Sequence, residues 1–140
     1  MNWFRALTLL LIVSGCGKNA MQSDDIAGAR GACARGASHA EVALSGVMNR
    51  YLGVRRGRSG SHEGFILVVK GGPADSEAEP NLYKIEDNID ITGLIPLRRG
   101  DRIDLMGQYE CNDSVVHWTH HDPRGRHIAG YIKVDGRTYQ

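Results

Sequence analysis

Four of the chain's six histidines fall in one short run, His117-Trp118-Thr119-His120-His121-Asp122-Pro123-Arg124-Gly125-Arg126-His127. Imidazole binds metals, moves protons and changes charge near neutral pH. A cluster this dense either builds a site or is dissolved in a solvated turn. If Thr119 and His117 share one face of a strand and Trp118 takes the other, the chain leaves the strand at His120. Pro123 and Gly125 then force a turn. On an irregular loop His117 with His121, or His120 with His127, can converge with Asp122. Three nitrogen or oxygen ligands and an open position would make a catalytic site for zinc or another divalent metal. The run lacks the regular spacing of an HExxH or CxxC motif.

Other chemistries use the same residues. Arg124 and Arg126 are candidate anion-binding groups, since guanidinium forks suit phosphate oxygens. With Glu110, Asp122 and a histidine as base they outline a metal-dependent hydrolase of phosphodiesters, although no nuclease motif is matched residue by residue. The bland reading is equally concrete. Asp122 caps its own turn, His117 and His127 hydrogen-bond to Glu110 or Asp90, and Trp118 belongs to the core. A second basic stretch, Arg55-Arg56-Gly57-Arg58, is either an anion-binding loop or a solvated turn.

The elements that must position these residues are short strands. Hydrophobic residues make up 41% of the 140-residue chain and eighteen positions are glycine, which favours tight turns over long helices. The formal net charge is +1, so no overall field draws the protein to nucleic acid. Few aromatics flank the basic stretch, which argues against base stacking. Glu41 to Met48 alternates loosely, with Gly46 suited to a bulge or bend. Arg55 to Ser61 reads as a turn, Phe65 to Val69 as a buried strand, Gly71 to Pro80 as a loop and Leu82 to Ile85 as a strand. Pro96 to Asp101 is a turn before the alternating Arg102 to Tyr109 strand. Val115 to Trp118 and Ile128 to Val134 follow, and Asp135-Gly136 signals a hairpin back to Thr138-Tyr139. This spacing predicts a mainly β domain, a small antiparallel OB-like barrel with an SH3-like barrel as the alternative.

The N-terminus reads as a targeting segment. Arg5 supplies a positive n-region, and Ala6 to Val13 is apolar but shorter than the roughly 20 residues that span a bilayer. Val13-Ser14-Gly15-Cys16 resembles the bacterial lipobox. The resemblance implies residues 1–15 as a lipoprotein signal peptide, lipid on Cys16 and a mature chain held to the membrane. Gly17, not aspartate, follows the cysteine, which implies the outer membrane facing the periplasm. Residues 16–38 read as a tether, partly helical between Asp24 and Arg35, and residues 39–140 as the folded domain. Cys33 and Cys111 either pair, as an oxidising compartment allows, or remain free.

The chain from His39 to Gln140 resembles the DUF3465 family of uncharacterised bacterial secreted proteins. The resemblance rests on His62-Glu63-Gly64-Phe65-Ile66-Leu67, Asn88-Ile89-Asp90, Leu97 to Asp101, Gly107-Gln108-Tyr109-Glu110, the His117–His127 run, Gly130-Tyr131-Ile132 and the Tyr139-Gln140 end. It implies an OB-like barrel and a shared site, and brings no established activity. Two positions depart from the family's pattern: Asp87 stands where a histidine precedes Asn-Ile-Asp, and Glu63 where glutamine is usual. Both make this chain more acidic there. The expectation is therefore an envelope lipoprotein carrying a binding module. A metal ion or a small anionic or oligomeric ligand would be held by His117, His120, His121, Asp122 and His127, with His62, Asn88 and Asp90 as a second wall. Its partners would be the membrane, through the lipid, and an unknown small ligand, not nucleic acid. A metal-dependent hydrolase and a purely structural envelope protein are the alternatives.

Overall fold

A computed structural model describes residues 25–69 and 82–140. The expected signal peptide, Cys16, the start of the tether and the loop over 71–80 lie outside the described residues.

Seven strands follow a first helix: α1 (Asp25–Ala34), β1 (His39–Gly57), β2 (Gly60–Val69), β3 (Leu82–Asn88), α2 (Ile89–Thr92), β4 (Arg102–Glu110), β5 (Val115–His117), β6 (Tyr131–Val134) and β7 (Arg137–Tyr139). Five of them close a ring in the order β1-β2-β3-β5-β4, with β4 pairing back to β1. This is the OB-like arrangement. One correction to the antiparallel expectation is that β3 and β5 run parallel. The β4 edge facing away from β1 is shared: its first half pairs with β6 and its second half with β5. β6 and β7 form the hairpin signalled by Asp135-Gly136.

Ring closure depends on β1, which serves two partners. Residues 39–47 pair with β4 and residues 46–57 with β2, so Gly46 lies opposite both Ile103 and Val69. A side chain there would start 2.3 Å from the Val68 carbonyl oxygen, so only glycine lets the strands approach. Register shifts follow at Met48/Arg50 and Tyr51/Gly53, and they bend the strand around the ring. The basic stretch expected as a turn over Arg55 to Ser61 is mostly strand. Only Arg58 and Ser59 lie between β1 and β2.

Strand alternation sends every second residue inward. Phe65 and Leu67 of β2, Ile85 of β3, Ile103 and Leu105 of β4, Val116 of β5 and Ile132 of β6 are buried together. Each such side chain contributes about 1.5–3 kcal/mol on leaving water. α1 adds Ile26 and Ala29 to the same core, and Arg30 stacks over the Tyr83 ring at 5.4 Å. Cys33 at its end is bonded to Cys111, just after β4. Part of the segment read as a tether is therefore packed onto the ring.

Candidate functional site

The outward-facing side chains of β2, β3 and β5 make the floor of a cleft of about 530 Å³. His62 pairs across with Asn88, and Gly64 with Glu86. His117 sits at the end of β5, one residue beyond the Ile85–Val116 pair, and so lies beside Glu86. Arg55, Arg56 and Ser59 of the β1–β2 hairpin form one rim, and Asn112 and Asp113 of the β4–β5 turn form the other. Glu86 is bridged by Arg55 and by Lys84 at 2.5 Å, and its other oxygen is 3.7 Å from His117 Nε2. Burial pushes the Glu86 carboxyl up. The hydrogen bond and charge of Lys84, with His117 and Arg55, outweigh it and hold the group below its ordinary range. Burial also dominates at His117, pushing the imidazole down against the pull of Glu86 and Glu110. His117 is therefore neutral at pH 7 and available as an acceptor or ligand.

A second cleft of about 470 Å³ adjoins the first and shares Ser59, Asn88, Trp118 and His120 with it. Its far wall is the loop from Asp122 to His127. Asp122 builds that loop. One carboxylate oxygen accepts the Arg124 N–H at 2.9 Å, and the other accepts those of His127, at 2.7 Å, and Arg126. Burial acts to raise this carboxyl, but the three backbone donors and the nearby His127 bring it down to about 2. The turn-capping role expected for Asp122 is thus present.

Three imidazoles are oriented alike. The Nδ1 of His62, His120 and His127 lies 3.2, 2.6 and 2.8 Å from the carbonyl oxygens of Gly60, His121 and Ile128. A carbonyl only accepts, so each Nδ1 carries a proton, and Nε2 is the nitrogen of each ring that can present a lone pair. The rings of His120 and His127 stand edge to face with centroids 5.3 Å apart, and Trp118 packs 4.4 Å from His127. Arg126 reaches over the Trp118 ring at 5.9 Å. The His127 side chain is only 5% exposed, and its Nε2, 3.8 Å from Asp122 Oδ1, has no hydrogen-bond partner among the described residues.

The structure sorts the sequence candidates into groups. His62 and His117 line the first cleft; Asp90, Asp122, Arg124, Arg126 and His127 line the second; Asn88 and His120 line both. His121 is exposed and lines neither; its carbonyl anchors His120. The pairing of His117 with His121 is not formed, whereas His120, His127 and Asp122 are neighbours. The alternation expected over His117-Trp118-Thr119 fails because Trp118 has φ +56°, a left-handed conformation that L residues seldom adopt. It turns Trp118 into the cleft beside His117 and drives Thr119 inside, where its hydroxyl donates to Asp87 at 2.7 Å. Trp118 is therefore not a core residue. His117 and His127 lie against Glu86 and Asp122, not Glu110 or Asp90.

Asn88 and Asp90 act on the backbone. Asn88 donates to the Ser59 carbonyl at 3.2 Å and accepts the Asp90 N–H at 3.1 Å, while Asp90 accepts the Ser61 N–H at 2.9 Å. Together they pin the hairpin tip over the clefts. Glu86, which organises the first cleft, carries no local sequence signal; only the pairing of β3 with β5 brings it to His117.

A family model described as a protein of unknown function (DUF3465) matches residues 60–140, which takes in β2, β3, β5 and the whole His117–His127 run. No curated protein and no solved structure matches the chain.

Proposed function

The chain belongs to the DUF3465 family of proteins of unknown function, and from that footing we propose that it is a binding module for an extended, hydrogen-bonding ligand that carries anionic groups. One observation carries this reading. The larger cleft lies on the β2–β3 face between the β1–β2 hairpin and the β4–β5 turn, the surface on which OB folds bind oligomers. The adjoining cleft lengthens it into a groove, and each part falls within the roughly 300–1,000 Å³ of small-molecule sites. Arg55 and Arg56 stand at one end, and Arg124 and Arg126 at the other. Glu86, Glu110 and Asp113 line the same first cleft and disfavour a ligand as densely charged as nucleic acid.

A hyaluronan hexasaccharide, which carries a single carboxylate per disaccharide and many hydroxyls, is a suitable probe. On titration, the amide and imidazole signals of His62, Asn88, His117 and Trp118 should shift together, and His117→Ala should weaken binding about tenfold, the effect of losing roughly 1.4 kcal/mol of contact. Shifts confined to residues outside the two clefts would refute the groove as the binding surface.

We also propose that the module works in the bacterial envelope, lipid-anchored through Cys16 and facing the periplasm. The Cys33–Cys111 bond supports an oxidising compartment. Among the described residues no helix is long and apolar enough to cross a membrane. Labelling with a fatty-acid analogue should mark the protein, and Cys16→Ala should abolish the label. Unchanged labelling of that variant would rule out the anchor.

A further inference from the structure

We propose that His120, His127 and Asp122 hold a divalent metal ion of the zinc class at the far end of the groove. The central group is the His127 ring. Among the described residues its Nε2 is buried without a hydrogen-bond partner, and a buried polar atom left unsatisfied is destabilising. Its Nδ1 is committed to the Ile128 carbonyl, so the unsatisfied atom is a lone pair directed at the Asp122 side, where Oδ1 lies 3.8 Å away. Asp122 Oδ1 accepts a single backbone N–H, from Arg124, and retains acceptor capacity.

His120 completes the set. Its Nδ1 is likewise held by a carbonyl, that of His121. An imidazole anchored in this way, with the other nitrogen free, is the usual arrangement of a histidine ligand. Two imidazoles on one tetrahedral zinc, with Zn–N near 2.0–2.1 Å, place their ring centres roughly 5 Å apart. The His120 and His127 centroids are 5.3 Å apart at an interplanar angle of 86°. A nitrogen and an oxygen on the same ion stand roughly 3.3–3.5 Å apart, against 3.8 Å here. Among the described residues no three such side chains already close on a common point. The ion would therefore draw Asp122 and His127 together by a few tenths of an ångström, and His120 toward them. His120 lines both clefts, so the fourth coordination position would face the groove and could take water or an anionic group of its ligand. The metal and the groove stand on separate observations and fail separately.

The test uses the full chain without a histidine tag, disulfide formed and stripped with chelator, titrated with zinc chloride alone by calorimetry and thermal unfolding. One equivalent should bind and raise the unfolding temperature. His127→Gln and His120→Ala should each weaken binding about 100-fold or more, whereas His62→Ala, His117→Ala and His121→Ala should stay within about threefold. Cobalt(II) bound to the unmutated chain should give the intense visible absorption of a four-coordinate site, a readout that needs no variant to fold. Absence of zinc and cobalt uptake would overturn the proposal. So would uptake abolished by His62→Ala or His117→Ala and untouched by His127→Gln. Binding of the hexasaccharide in chelator, with no metal uptake, would leave the groove standing and remove the ion.

Discussion

Glu63 stands directly opposite Asp87 in the β2–β3 ladder, and both side chains are fully buried inside the ring. Each carboxyl holds another part of the fold. Glu63 Oε1 accepts the Ile95 N–H at 2.9 Å. Asp87 accepts the hydroxyls of Thr119, at 2.7 Å, and Thr92. The pair thus ties the segment after α2 and the start of the histidine loop to two adjacent strands. Like charges directly across a ladder repel, and burial disfavours the charged form of each. Burial is the main cause at Glu63, whose carboxyl is pushed up to about 7; the charge of Asp87 adds to it and the Ile95 N–H opposes it. Burial likewise raises Asp87 in spite of its two hydroxyl partners.

Glu63 should therefore make stability depend on pH. Its folded value of about 7 lies above the ordinary 4.5, so the folded state binds the extra proton. The stabilisation is complete below about pH 4.5, declines as pH rises, and is gone above about pH 7. The shift corresponds to roughly 3 kcal/mol across that window. Glu63→Gln keeps the acceptor for Ile95 and removes the charge. In urea unfolding it should be more stable than the parent at pH 8 by about 2 kcal/mol, with little difference at pH 4.5. A variant equally destabilised at both pH values would show that the carboxylate is needed as an anion.

The ring was largely legible in the sequence, because its inward residues alternate. Ile103 and Leu105 show it plainly, and Phe65 and Leu67 continue it in β2. What hid the first half of β2 was Glu63: a carboxylate at an inward position breaks the apolar pattern, so the expected strand begins only at Phe65. The length of β1 was hidden because its register shifts at Met48/Arg50 and Tyr51/Gly53 and it changes partner midway. The density of the histidine run was legible as composition. Its geometry was not, because the φ of Trp118 is fixed by the close packing of the chain around it, not by its neighbours in sequence.

That packing makes Gly130 one of the least replaceable residues. A methyl group there would lie 2.1 Å from the Trp118 carbonyl oxygen and 2.5 Å from that of Met106, both backbone atoms. Gly130→Ala must push apart the strand end and the histidine loop, at a cost of about 3 kcal/mol or more. Gly125 provides the control. Its φ is +64° but nothing lies within 4 Å of the added carbon, so Gly125→Ala should cost only about 1 kcal/mol of backbone strain. Denaturant midpoints compare the two. Equal losses would mean that Trp118 is not held by this contact.

Asn88 and Asp90 should act through the hairpin they hold. Asn88→Ala removes the bond to the Ser59 carbonyl and the cap on the Asp90 N–H; Asp90→Ala removes the acceptor for Ser61. Each should cost about 1 kcal/mol. Because they serve one turn, the double variant should lose less than the sum. Amide exchange at Ser61 should accelerate in both, while exchange at Leu105, in the core, follows only the global loss. Additive losses with Ser61 still protected would separate these residues from the hairpin.

Reduction of Cys33–Cys111 should loosen one end of the groove and spare the other. The bond spans 78 residues, and restricting so long a loop in the unfolded chain is worth at most about 4.5 kcal/mol. Cys33→Ser should therefore lower the unfolding temperature by roughly 10 °C or more. In the folded state the effect should be local. α1 keeps Ile26 and Ala29 on the core but loses its covalent tie to the β4–β5 turn. Asn112 and Asp113 follow Cys111 directly and line the first cleft, so their signals should broaden. The second cleft rests on Asp122 and the loop it caps, with no contribution from that turn. His120 and His127 should keep their chemical shifts. If those two imidazoles move as much as Asn112 and Asp113, the two halves of the groove are not independently supported, and metal binding should weaken together with hexasaccharide binding on reduction.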